Sequence, residues 1–235
     1  MTQAIIVAAG KGSRLYPITD SIPKVMIPVG REDKPMGHMI IEHCMEHGIK
    51  DFLFCLNKDS GKQVQNYFGD GSRFGINIDY SLSNEPQGTA GEIKLAYERG
   101  KIKLPTLIYY GDTLCKTNLT ALMNVISDVT VVVNDQVRMP YGFIEDYYGR
   151  AERIIEKPTI KEMIPEKDSG VGAIMSIYYV KNDLFFILFC RKGKDISGNV
   201  LPEMMTNGYN VSVYHDLSPF VDVGNWKNYE EAKKW

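Results

Sequence analysis

The sequence predicts an α/β chain, an open and mainly parallel sheet with helices on its faces. Three observations predict it. Short apolar runs alternate with segments of helical spacing along the first half. The first run breaks into a glycine-rich loop, the usual place for a ligand at the carboxyl end of a strand. From residue 141 the pattern changes to closely spaced strands around a short turn.

In chain order, residues 4–8, 51–56, 76–81, 106–110 and 129–134 read as strands. Residues 36–47, 61–68 and 90–99 between them have helical spacing. Residues 141–147 and 151–155 flank Tyr148-Gly149-Arg150 as a hairpin. Residues 174–180 and 211–215 are further strands, and 226–235 is a terminal helix. The apolar residues 184–188 are assigned to the core. With no repeat or linker, one domain over 1–235 is expected, with a lobe at about 136–180 lying over the sheet.

Composition narrows the function. The 235 residues are 44% hydrophobic, enough for a sizeable core. A net charge of −2 supplies no basic surface for nucleic acid. No apolar run approaches the roughly 20 residues that cross a bilayer, and residues 1–9 carry no cationic leader. The four cysteines are widely spaced and read as reduced, mostly buried thiols of a cytoplasmic protein.

The loop Ala8-Ala9-Gly10-Lys11-Gly12-Ser13-Arg14-Leu15 fits neither of two common phosphate loops. It lacks the Gly-Lys-Ser/Thr ending of a Walker loop, and Leu15 stands where a dinucleotide loop needs its third glycine. Alone it is equally a tight turn or a phosphate cradle. Arg14 and Lys24, the latter between Pro23 and Pro28, could clamp a triphosphate; they could also be ordinary surface cations. Gly88-Thr89 opens a helix, either as a plain cap or as a ring of free N–H groups for a ligand. Asp112 follows a glycine and Asp222 lies between an apolar pair and Gly224, settings that suit a turn as well as a Mg²⁺ ligand. Asp70 and Arg73 read as structural. His43-Cys44-Met45-Glu46-His47 matches a zinc-peptidase pattern but has no third ligand or partner motif, so solvated helix residues are expected there.

The order of these motifs resembles the sugar-1-phosphate nucleotidyltransferase family over about residues 3–232. The resemblance rests on Val7 to Thr19, Pro23-Lys24-Val25-Met26-Ile27-Pro28-Val29, Gly88-Thr89-Ala90-Gly91, Tyr109-Tyr110-Gly111-Asp112, Glu156-Lys157-Pro158 and Phe220-Val221-Asp222-Val223-Gly224. It implies a Rossmann-like nucleotidyltransferase fold, with a mixed central sheet flanked by helices and a small sugar-binding β lobe. By resemblance, Ala8, Ala9, Gly10, Gly12, Ser13, Gly88 and Thr89 would bind the nucleotide, and Arg14 and Lys24 would be catalytic. Gly142, Glu156 and Lys157 would hold the sugar phosphate, and Asp112 and Asp222 would bracket Mg²⁺. The implied partners are a nucleoside triphosphate and a sugar 1-phosphate, in nucleotide-sugar supply for polysaccharides. Homo-oligomers occur among relatives, and the C-terminal β-helix of some is not expected here. Two alternatives are a nucleotidyltransferase for a non-sugar phosphate such as phosphocholine, and a non-catalytic regulatory homologue. Two positions depart from the family: Ser83, where many uridine or deoxythymidine triphosphate users carry glutamine, and Ser176, where many members have glycine. The first bears on the base, the second on the sugar.

Overall fold

In a computed structural model of the chain, residues 1–103, 105–134, 142–156, 170–181 and 183–235 are described. The strands are β1 (Gln3–Val7), β2 (Asp51–Asn57), β3 (Asn77–Ser83), β4 (Thr106–Tyr110), β5 (Thr113–Cys115), β6 (Val129–Asn134), β7 (Phe143–Tyr147), β8 (Arg150–Ile155), β9 (Gly170–Val180), β10 (Val211–His215) and β11 (Phe220–Asp222). Nine of them form one mixed sheet in the order β3-β2-β1-β4-β9-β6-β10-β8-β7. β1, β2, β3 and β4 run parallel to their neighbours, and β9 enters antiparallel between β4 and β6. β5 and β11 form a separate two-stranded ribbon.

The helices are α1 (Met36–Glu46), α2 (Lys58–Phe68), α3 (Thr89–Glu98) and α4 (Trp226–Ala232), with shorter turns between. Strand alternation explains why both faces need cover. On β1, Ala4 and Ile6 join one apolar cluster while Ile5 and Val7 join the other. α2 starts where Asn57 accepts the Asp59 N–H, and α4 where Asn225 accepts that of Asn228.

The expected strands and helices are all present among the described residues. The hairpin turn is the pair Tyr148–Gly149, both at positive φ, so Arg150 belongs to the strand and pairs with Tyr147. One core expectation fails at its edge: Phe186 and Ile187 are buried, but Leu188 is 65% exposed. The four cysteines are free and buried. No helix among the described residues is long and apolar enough to cross a membrane.

Ser176 gains a conformational meaning. The pairing of β9 with β6 shifts register between Ile174 and Tyr178, and Ser176 sits inside that bulge at φ +59°. That left-handed conformation is one glycine adopts without strain.

Candidate active site

The carboxyl ends of β1 and β4 lie side by side, with Val7 paired to Tyr110. The glycine loop leaves β1 and Asp112 follows β4. Gly111 bridges the two: its N–H donates to Val7 O at 2.9 Å, and a Cβ there would come within 2.7 Å of the Ala8 Cβ. Only glycine lets the strand ends close this far.

The loop turns at Gly12, at φ +65°, and Thr19 Oγ1 donates to its carbonyl at 2.9 Å. A short 3₁₀ turn, Ser13–Leu15, follows; it buries Leu15 completely and leaves Ser13 and Arg14 exposed. Ala9, Gly10, Ser13 and Lys24 line one side of a cavity of about 500 Å³, and Asn57 and Ser60 the other. Ala8 is half-buried beside it.

Lys24 Nζ donates to Asp112 Oδ2 at 2.6 Å. Asp222 is brought to Asp112 by the ribbon: Thr113 pairs with Asp222, and the Val223 N–H donates to the Asp112 carbonyl at 2.8 Å. Asn228 Nδ2, on α4, donates to the Asp222 carbonyl at 2.5 Å. Gly224 packs against both Asp222 and Arg14; a Cβ there would sit 3.1 Å from Asp222 Oδ1 and 3.2 Å from Arg14 Nη2. Two carboxylates and two cations therefore converge.

Burial, and then the charge of Asp112, push the Asp222 carboxyl up to about 6, against the pull of Lys24 and Arg14. Asp222 Oδ1 is buried with no hydrogen-bond partner. An oxygen that has lost water and gained no donor suits a hard cation, and a carboxylate pair leaves further positions for phosphate oxygens. The residues fit Mg²⁺.

Gly88 and Thr89 open α3, but the Thr89 hydroxyl does not cap its own helix. It accepts the Ile196 N–H at 3.1 Å and faces Asp195 Oδ1 at 3.4 Å. Gly88, at φ +73°, lies where a Cβ would come 2.6 Å from Lys194 O. The Gly88–Thr89 loop is thus packed against residues 193–196. Ser83 is buried and turns its hydroxyl inward, donating to Glu92 Oε1 at 2.8 Å. Glu92 Oε1 also takes the Gln87 N–H at 3.3 Å, and burial holds its carboxyl above the usual range. The Ser83 hydroxyl is thus tied to Glu92 inside the fold.

Gly142 and Glu156 meet: a Cβ at 142 would lie 2.6 Å from Glu156 Oε2. Lys157 lies outside the described residues. Ser197, on a π-turn at Ile196–Val200, donates to Glu156 Oε2 at 3.2 Å. Sequence reasoning passed over Ser197, Glu92 and Asn228. The run Asp195-Ile196-Ser197-Gly198-Asn199 is polar and short, and nothing local marks it as part of a cleft.

His43 Nε2 contacts Thr117 O at 2.9 Å and His47 Nδ1 contacts Thr120 Oγ1 at 2.9 Å. Among the described residues no group of three or more His, Cys, Asp or Glu is placed to hold a metal. Asp70 accepts the Ser72 N–H, and Arg73 lies over the Tyr67 and Phe74 rings, both structural roles.

The chain is similar to known proteins over most of its length. A UTP–glucose-1-phosphate uridylyltransferase of Synechocystis sp. is 27% identical, over 98% of this chain and 62% of its own. A glucose-1-phosphate thymidylyltransferase of Neisseria meningitidis is 32% identical over 77% of this chain and 62% of its own. The chain thus spans about three fifths of the length of these relatives. In fold it is similar to HddC from Yersinia pseudotuberculosis, solved with GMP-PN, at TM-score 0.78 and 21% identity over 100% of this chain and 99% of that one. The family model described as Nucleotidyl transferase matches residues 3–235, and the chain belongs to that family.

Proposed function

We propose that this chain transfers a nucleotide from a nucleoside triphosphate to a sugar 1-phosphate, releasing pyrophosphate and a nucleotide-sugar. The observation that carries the reading is the pairing of Asp112 and Asp222 beside the glycine loop, with Lys24 and Arg14 against them. The glycine loop, opening on the cavity of about 500 Å³, receives the triphosphate. Asp112 and Asp222 would hold Mg²⁺, which when bound neutralises phosphate charge. Arg14 and Lys24 add positive charge where negative charge builds up around the α-phosphorus.

Glu156, with Gly142 beneath it, accepts hydroxyl groups of the sugar, and Lys157 pairs with its phosphate. The acceptor's phosphate oxygen forms a bond to the α-phosphorus while the bond to the β-phosphate's bridging oxygen breaks. The electron pair leaves with pyrophosphate. The attacking oxygen is already anionic, so no general base is needed, and positioning with charge neutralisation supplies the catalysis. The product feeds reactions that transfer sugars, in the cytoplasm.

A panel of five nucleoside triphosphates against common sugar 1-phosphates and phosphocholine, read by pyrophosphate release, tests this. Release with a sugar 1-phosphate supports it. Release with phosphocholine alone moves the acceptor class, and no release with any pair favours a regulatory homologue.

A further inference from the structure

The segment 192–199 touches both sides of the cleft. On the nucleotide side the Ala90 N–H donates to Lys194 O at 3.0 Å, and the Gly193 N–H donates to Gln87 O at 2.5 Å. The Thr89 hydroxyl takes the Ile196 N–H. One residue on, the Ser197 hydroxyl donates to Glu156 Oε2. Close by are the half-buried Tyr110 and the buried Tyr178, whose ring centroids lie 5.8 Å apart.

The backbone that carries Ser197 is irregular. Ile196–Val200 is a π-turn, a feature that often marks functional positions because it costs backbone energy. Ile196 and Val200 are fully buried and fix its two ends in the core. Asn199 Oδ1 accepts the Asp195 N–H at 2.9 Å and closes the start. Glu156 itself is exposed, so nothing in its own strand restrains its carboxylate. Its described restraints are Ser197 on one side and the bare face of Gly142 on the other.

We infer that Ser197 is the positioning residue for the acceptor-binding carboxylate Glu156, and that Thr89, across the cleft, holds the π-turn that delivers it. The inference rests on the proposed transfer to a sugar 1-phosphate. Thr89 then acts on the acceptor through residues 196–197, although it opens the nucleotide-side helix. Loss of either hydroxyl frees the Glu156 carboxylate to swing into solvent and weakens the acceptor before the nucleotide.

The test uses the whole chain and the best pair from the substrate panel. Ser197→Ala is expected to raise KM for the sugar 1-phosphate about fivefold, the effect of one lost hydrogen bond to a charged group, with KM for the triphosphate and kcat within about twofold. Ser197→Thr, which keeps the hydroxyl, restores the acceptor KM. Thr89→Val is expected to raise the acceptor KM as well, and Thr89→Ser to restore it. Wild-type acceptor KM in Ser197→Ala or in Thr89→Val, with the wild type active, overturns the inference and leaves the transferase reading intact. A rise in triphosphate KM alone also overturns it. A wild-type chain that turns over no pair overturns the transferase reading and the inference with it.

Discussion

On the proposed nucleotide side, the two carboxylates sit at or next to strand ends whose neighbours are fixed by backbone pairing. On the proposed acceptor side, one exposed carboxylate is held by a serine 41 residues away in sequence. Asp112 and Asp222 have no freedom to drift apart, because the ribbon pairs Thr113 with Asp222 and the Val223 N–H with the Asp112 carbonyl. Glu156 has no comparable frame. The lesson is a division of labour. The proposed reaction centre is set by sheet topology, while the proposed acceptor site rests on side-chain contacts that can be exchanged without disturbing the sheet.

The largest expected effect breaks the rigid half. Asp112→Asn or Asp222→Asn lowers Mg²⁺-dependent pyrophosphate release by on the order of 10²-fold or more, if each ligand supplies about 3 kcal/mol. Full activity in both variants would falsify the metal assignment.

A second prediction exposes the energetic cost of that half. The Asp222 carboxyl is raised, so the folded chain holds this proton more tightly than the unfolded chain does. In metal-free buffer the destabilisation is absent below about pH 4, grows as the pH rises to about 6, and is constant above that. Asp222→Asn removes it. Denaturant unfolding at pH 8 should show a gain on the order of 1–3 kcal/mol that shrinks as the pH falls from 6 toward 4. An unchanged or lower stability at pH 8 contradicts the buried like-charge pair.

The softer half yields a smaller effect. Gly142→Ala pushes against Glu156 Oε2 and should raise the acceptor KM about tenfold, with triphosphate KM unchanged. Equal changes in both constants would show that residue 142 acts on the whole cleft.

These differences also mark what the sequence could reveal. The proposed reaction centre was legible because its residues fall in short motifs near strand ends, such as Gly111-Asp112 and Val223-Gly224 after Asp222. Periodicity marked the nine strands of the sheet one by one, as where alternation of Ala4, Ile5, Ile6 and Val7 encodes two buried faces, but did not give their order. What stayed hidden depends on pairs far apart in the chain. Thr89 reaches Ile196 across 107 positions, and no local pattern records that contact. Ser83 and Ser176, the two departures from the family pattern, also have structural settings of their own: one hydroxyl faces Glu92 inside the fold and the other residue occupies a left-handed bulge. A substitution relative to a family can answer backbone geometry as readily as ligand chemistry.

The smallest expected effect follows from that bulge. Ser176→Gly relieves a left-handed non-glycine residue and should raise stability by about 1 kcal/mol in thermal or urea unfolding. The ranking of sugar 1-phosphates should not change. A reordered ranking with no gain in stability would return Ser176 to the acceptor pocket.

The central claim, nucleotidyl transfer to a sugar phosphate, is tested most directly by ³¹P NMR of a reaction containing Mg²⁺, the triphosphate and the sugar 1-phosphate. The account predicts that the sugar 1-phosphate resonance is replaced by a coupled diphosphate pair as pyrophosphate appears in equal amount. Nucleoside monophosphate in place of that pair, with the sugar 1-phosphate unconsumed, would contradict it.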